Sequence, residues 1–176
     1  MSRPDKFKAM IHYICDRCGD PARLGAIKLN KVAWFSDVIA FLELGSDITG
    51  ERYVKQKFGP VPKSILPTLR QLVTEGAMRI DEVEYFGHWK KQFVVLQPYN
   101  GSLLSDEERG VVDKVMEFVC DGHTATSISE ATHDAIWKIA DIGEQIPVSA
   151  ILASKLQRPT SGDIAEARRR LSAKAA

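Results

Sequence analysis

Long apolar runs are missing from this 176-residue sequence, and none approaches the roughly 18 residues that mark a membrane-spanning helix. Nor does the opening stretch MSRPDKFK hold the apolar core of a signal peptide. No membrane role is expected, and a cytoplasmic location follows as the default. Charge of one sign is missing as well. With 24 basic and 23 acidic residues the formal net charge is +1, so no global field draws the chain to nucleic acid or to an anionic surface. Cysteine is scarce: Cys15, Cys18 and Cys120 make an odd count, and a chain of this length buries a core without disulfide or metal staples.

The same scarcity bears on metals and redox chemistry. Cys15 and Cys18 form a C-x-x-C inside what reads as a helix, where two cysteines one turn apart are small core residues. Zinc wants four ligands, and Cys120, His12, His88, His123 and His133 form no recognisable second pair. A thioredoxin-like site would need a strand before the motif. No metal or cofactor is expected. Catalysis lacks a constellation too. His133 and Asp134 stand near Ser127, Ser129 and Thr132, but sequence neighbours on a helix point about 100° apart and no nucleophile is placed within reach. Capping and packing account for these residues, so no catalytic residue is assigned and the chain is not expected to be an enzyme.

What is present is a helical pattern with one change of period. Phe7, Met10, Ile11, Ile14, Cys15 and Cys18 recur at three- and four-residue intervals and predict a helix ended by Gly19. After Pro21 a second helix carries apolar residues around most of its circumference, from Ile27 to Leu42, and reads as central and buried. Gly45, Asp47 and Gly50 break it, and a loop is expected to run on to Pro62. Ile65, Leu66, Leu69, Leu72 and Val73 predict a third helix, with Ser64 as N-cap and Pro67 in the first turn. Beyond Gly76 the period becomes two. Met78, Ile80 and Val83, then Phe93 and Val95, predict a hairpin joined through residues 85–91.

Ser105-Asp106-Glu107-Glu108 has the form of a capping box before a fourth long helix, which Asp121-Gly122 ends. Ser127-Ile128-Ser129-Glu130 reads as another box, opening a short helix towards His133. Ile136, Trp137, Ile139 and Ala140 lead to Pro147, and Ile151, Leu152 and Leu156 mark one more helix. The expected fold is a mainly helical α+β domain over residues 1–159, with one small antiparallel hairpin after the third helix. Residues 160–176, which include Arg168, Arg169 and Arg170, form a basic helical or partly disordered tail.

Two surfaces invite a functional reading. Helices followed by a basic hairpin are the order of a winged helix, in which His88, Lys90 and Lys91 would sit near phosphates. Against it, the third helix offers only Thr68, Arg70 and Gln71 beside Glu75, so nucleic acid is not expected as the main partner. The stronger surface is the turn Tyr53-Val54-Lys55-Gln56-Lys57-Phe58-Gly59-Pro60-Val61-Pro62. It mixes aromatic and basic residues, the types that anchor interfaces, around a Gly-Pro bend that holds them at low entropic cost. The bland alternative has Tyr53 and Phe58 plugging the core and Lys55 and Lys57 solvated.

The run Lys28-Leu29-Asn30-Lys31-Val32-Ala33-Trp34-Phe35-Ser36-Asp37, with Ile48-Thr49-Gly50, Tyr53 and Lys57-Phe58-Gly59-Pro60-Val61-Pro62, resembles the Panacea domain of SocA-like antitoxins. Ser129-Glu130-Ala131-Thr132-His133-Asp134-Ala135-Ile136-Trp137 is similar to a later His and Trp element of that family, and the likeness spans roughly residues 7–156. The resemblance implies a non-enzymatic antitoxin of a type II pair that neutralises a cognate protein toxin by contact, or an adaptor that delivers its toxin to a ClpXP-type protease. Family members also occur in phage and mobile elements. On this reading Tyr53, Lys55, Lys57 and Phe58 contact the partner, Gly59 and Pro60 shape the turn, and Trp34, His133 and Trp137 support it. The runner-up is a winged-helix-like DNA-binding regulator. Exposed aromatics leave self-association open.

Overall fold

Helix α2 (Pro21–Leu44) is the axis on which the other elements pack. Its apolar residues surround the helix, and Leu29, Val32, Ala33, Val38 and Ala40 are all buried. Asp20 caps its start by accepting the Ala22 N–H at 2.9 Å, Pro21 occupies the first turn, and Gly45 ends it in the left-handed region at φ 82°. One irregularity interrupts it. Gly25 adopts φ 66°, ψ 166°, and a Cβ there would lie 2.9 Å from Lys90 Cε. The chain of Lys90, whose Nζ donates to the Ala22 carbonyl, presses against this kink.

The computed structural model describes residues 3–85 and 87–152. Helix α1 (Arg3–Cys18) lays Phe7, Met10, Ile11 and Ile14 into the core. On its other side Tyr13 donates to Asp113 at 2.9 Å and Arg17 pairs with the same carboxylate at 3.1 Å, which ties α1 to α4 (Asp106–Met116). Helix α4 has the expected capping box: the Ser105 hydroxyl accepts the Glu108 N–H, and the Glu108 carboxylate accepts the Ser105 N–H. It does not run straight into a stop. A π-helical turn, Glu117–Asp121, follows it.

Helix α3 (Ile65–Thr74) buries Ile65, Thr68, Leu69 and Leu72. Ser64 stands at its N-cap, yet its side chain makes no capping bond; the Ser64 carbonyl takes the Thr68 N–H instead. Helix α5 (Ala125–Ala131) begins one turn earlier than the sequence suggests. Its cap is Thr124, and Ser127 is the third-residue partner in the box rather than the cap. Asp134 opens α6 (Ala135–Ile139) by accepting the Trp137 N–H at 2.8 Å. A 3₁₀ turn at Val148–Ala150 leads to helical Ile151 and Leu152. Leu156 and the basic tail at 160–176 lie outside the described residues.

The mainly helical α+β class holds, but a second hairpin stands where a loop was expected. Strands β1 (Tyr53–Gln56) and β2 (Gly59–Pro62) pair antiparallel around the turn Lys57-Phe58, with Tyr53 opposite Pro62 and Gln56 opposite Gly59. The two prolines hid β2, because proline is confined to sheet edges. That is where β2 lies: the sheet order is β2-β1-β5, with β5 (Gln145–Ile146) on the far side of β1. Pro60 and Pro62 alternate, so the ladder's donors in β2 are left to Gly59 and Val61. Strands β3 (Met78–Tyr85) and β4 (His88–Val95) form the expected hairpin, longer than predicted, with register from Met78 opposite Val95 to Tyr85 opposite His88. Phe86 lies outside the described residues. No helix among the described residues is long and apolar enough to cross a membrane.

Candidate functional site

Alternation in β1 sends Tyr53 and Lys55 inward and Val54 and Gln56 outward. Tyr53 is fully buried beside the edge of the Trp34 ring, at 5.0 Å between centroids. Its hydroxyl lies 2.7 Å from Asp37 Oδ2 and 2.9 Å from the Ala33 carbonyl, either of which can accept its single proton. Asp37, buried on α2, is a hub. Oδ1 accepts the Ile48 and Thr49 N–H groups at 2.9 and 3.0 Å, and Oδ2 accepts the Thr49 hydroxyl at 2.5 Å. Burial pushes its carboxyl up to about 6, against the downward pull of the Thr49 and Tyr53 donors. The loop leading into the hairpin is therefore fastened to α2 through one carboxylate.

A second fastening lies under the turn. Lys31 is 1% exposed, although it is a lysine in the middle of a helix. Burial alone lowers its ammonium to about 7. Gly59, at φ 104°, passes directly over it: a Cβ at that position would meet Lys31 Nζ at 2.2 Å and Thr132 Oγ1 at 2.3 Å. Only glycine fits. The K-L-N-K run on α2, the F-G-P-V-P run of the hairpin and the T-H pair after α5 thus meet at one point of close approach. Thr132 is itself buried and donates to the Ser129 carbonyl at 2.8 Å.

His133 stacks on Trp137 at 3.7 Å, nearly parallel at 16°. Burial, and then the neighbouring Lys31, hold its imidazole below its ordinary pKa. Trp137 Nε1 donates to the Gln56 carbonyl at 3.2 Å, and Lys55 Nζ lies 4.1 Å above its ring while donating to the Ala140 carbonyl at 2.8 Å. The Lys55 backbone pairs on both sides with the connection before β5: its N–H donates to Glu144 and its carbonyl accepts from Gly143. Helix α6 and the segment to β5 are by these bonds a wall beside β1.

The nine residues singled out in the sequence therefore separate into three sets. Tyr53, Trp34, Gly59 and Pro60 are interior, and Lys55 is nearly so. His133 and Trp137 are half-buried bracing. Lys57 and Phe58 alone stand out, at the turn, with the Lys57 ammonium 5.3 Å from the half-exposed Phe58 ring. Two residues the sequence reading left unassigned join them: Ile139 is 85% exposed and Ile142 66%. Both belong to the wall beside β1. Their only signal in sequence is that Ile139 and Ile142 bracket Asp141 with no helical face left to fill.

The basic hairpin is arranged differently. Lys90 is spent on the Ala22 carbonyl and lies 5.0 Å over the Tyr85 ring. Trp89 is 75% exposed. Ser127 and Asp134, considered above beside His133, are engaged in helix caps.

The sequence profile of the antitoxin SocA-like Panacea domain matches residues 29–138. This chain belongs to that family. No curated protein and no solved structure matches it. The matched span runs from α2 to α6 and so contains both fastenings, Asp37 to Tyr53 and Lys31 to Gly59 and Thr132. Helix α1 precedes it, yet contributes Phe7, Met10, Ile11 and Ile14 to the same core cluster.

Proposed function

We propose that this Panacea domain is the antitoxin of a type II toxin–antitoxin pair, and that it neutralises a cognate protein toxin by direct contact through Phe58, Ile139 and Ile142, with Lys57 and Lys138 at the rim. The observation that carries the reading is the combination of exposed apolar side chains with a braced backbone. Exposed apolar side chains mark interaction sites when they are grouped. The bonds from Lys55 to Ala140, Gly143 and Glu144 bring the segment with Ile139 and Ile142 alongside β1, and a turn fixed by Lys31, Gly59 and Trp137 loses little entropy when it is covered. Tyr53, Lys55, Trp34 and His133 act here as the scaffold of the contact face rather than as the face itself. A toxin surface of mixed apolar and acidic character fits this patch.

The test is co-expression with each genomic neighbour, scoring growth rescue and then co-purification. Rescue with a stable complex is expected, and Phe58→Asp with Ile139→Asp should abolish both while leaving the fold intact. Rescue accompanied by loss of the toxin, reversed when a ClpXP-type protease is deleted, would make the chain a delivery adaptor using the same face. A toxin bound equally well by the double variant would overturn the assignment of the face. If no neighbour is toxic and none co-purifies, the antitoxin reading fails.

A further inference from the structure

Cys18 closes α1, and Cys120 sits in the π-helical turn after α4. Such turns are rare departures from helical geometry and often mark functional positions. Although about 100 residues separate the two cysteines, both line one surface groove of about 150 Å³, together with Arg17, Arg23, Asp113 and Asp121. Within it each thiol is the largest influence on the other's proton. The Cys18 S–H donates to the Asp20 carbonyl at 3.2 Å. Lys28 Nζ donates to the Cys120 carbonyl at 3.0 Å, and Lys28 and Arg23 place two cations near that sulfur.

These neighbours lower the Cys120 thiol to about 7, while Cys18 is raised. Near neutral pH a large share of Cys120 is thiolate, the nucleophilic form. Cys15 is buried like Cys18 and pushed up by burial, but it is absent from the groove. The reactive pair is thus not the C-x-x-C of the sequence.

We propose that Cys120 and Cys18 form a peroxide-sensitive modification site, with Cys120 as the attacking thiol and Cys18 as the resolving one. The Cys120 thiolate attacks one oxygen of hydrogen peroxide, the O–O bond breaks, and the departing hydroxide takes a proton to leave as water. Cys120 is then a sulfenic acid. The Cys18 sulfur attacks it, the S–O bond breaks, an S–S bond forms, and the oxygen leaves with the Cys18 proton as a second water. Two thiols are oxidised by two electrons in all, and one peroxide is reduced to two waters. The cross-link ties the end of α1 to the turn after α4 and encloses a loop of about 100 residues, which narrows the unfolded ensemble.

The experiment uses the reduced full chain, exposed to a small molar excess of hydrogen peroxide near pH 7.5, quenched in denaturing alkylating buffer and mapped by mass spectrometry without reduction. The expected product is a Cys18–Cys120 linked peptide with Cys15 alkylated, reversed by dithiothreitol, and a higher melting temperature for the oxidised chain. In Cys18→Ser, Cys120 should accumulate as a sulfenic acid captured by dimedone, at least ~10-fold faster than Cys15 reacts. In Cys120→Ser, Cys18 should stay reduced at the same dose. The proposal is overturned if the wild-type chain returns all three cysteines alkylated, if the only cross-links join separate chains, or if Cys120 passes to sulfinic acid while Cys18 remains free.

Discussion

Hairpins β1–β2 and β3–β4 both pair antiparallel, but they meet the rest of the fold differently. The first has four-residue strands, too short to stand alone, and buries Tyr53, Lys55, Gly59, Pro60 and Pro62 against α2 and its neighbours. The second has eight-residue strands in which only Met78, opposite Val95, and Phe93, opposite Ile80, are buried, both near the base. Its outer half leaves Tyr85 and Trp89 exposed and meets α2 through Lys90, whose Nζ donates to the Ala22 carbonyl. A short strand pair buried along its length cannot shift without disturbing the core. A long pair with an exposed tip has less core to disturb there.

The largest expected effect comes from cutting the first hairpin's anchor. Asp37→Ala strands the Ile48 and Thr49 N–H groups and the Thr49 hydroxyl in the interior and leaves the Tyr53 hydroxyl only the Ala33 carbonyl, and should cost about 4 kcal/mol in a urea titration. Asp37→Asn keeps acceptor capacity on one oxygen and should cost less. A loss under about 1 kcal/mol in Asp37→Ala would mean the loop is held by something other than this carboxylate.

Matched glycine substitutions compare the hairpins directly. Gly59 and Gly87 both have positive φ, at 104° and 76°, so alanine strains the backbone at each. Nothing lies within 4 Å of a Cβ at Gly87, whereas Gly59 faces Lys31 and Thr132, both buried. Gly87→Ala should cost about 1 kcal/mol and Gly59→Ala about 3 kcal/mol or more. Equal losses would erase the distinction between a turn set over the core and one set in the open.

Why sequence reading found one hairpin and missed the other follows from the same contrast. Strands β3 and β4 alternate over enough residues to show a period of two, while β2 is Gly-Pro-Val-Pro and shows none. Helices α1, α2 and α4 were legible because burial on a helix leaves a period. The Ser105 and Glu108 box was legible because its partners are three residues apart. Lys31 was not: a buried lysine looks like any helical lysine until Gly59 and Thr132 are brought over it by long-range folding. The turn Lys57-Phe58 was readable as a contact point from its residue types, but Ile139 and Ile142 gained their meaning only when Lys55 paired with Gly143 and Glu144.

Burial of Lys31 gives the first hairpin a pH signature that the second lacks. With its ammonium at about 7 in the fold and near 10.4 when unfolded, the unfolded chain holds more protons between those values. Stability therefore rises with pH across that window and is lost as pH falls towards 7. The lowered Cys120 thiol tilts stability the same way, so the informative quantity is the difference between wild type and Lys31→Met. That variant should be the more stable at pH 7, and its advantage should shrink by about 2 kcal/mol by pH 9. An advantage that stays constant with pH would mean that Lys31 is charged throughout.

The smallest stability effects decide the most about function. Phe58 is half-exposed and Ile139 is 85% exposed, so Phe58→Ala should cost about 1 kcal/mol and Ile139→Ser less than about 0.5 kcal/mol. Trp89→Ala, at the tip of the second hairpin, should be equally mild. If the braced hairpin and its wall form the toxin-contacting face, the first two variants should weaken toxin binding by at least ~10-fold, since a central apolar anchor is worth upwards of about 1 kcal/mol. Trp89→Ala should leave binding unchanged. Binding lost only with Trp89→Ala would move the contact to the tip of β3–β4, and the bracing of β1–β2 would then serve the fold alone.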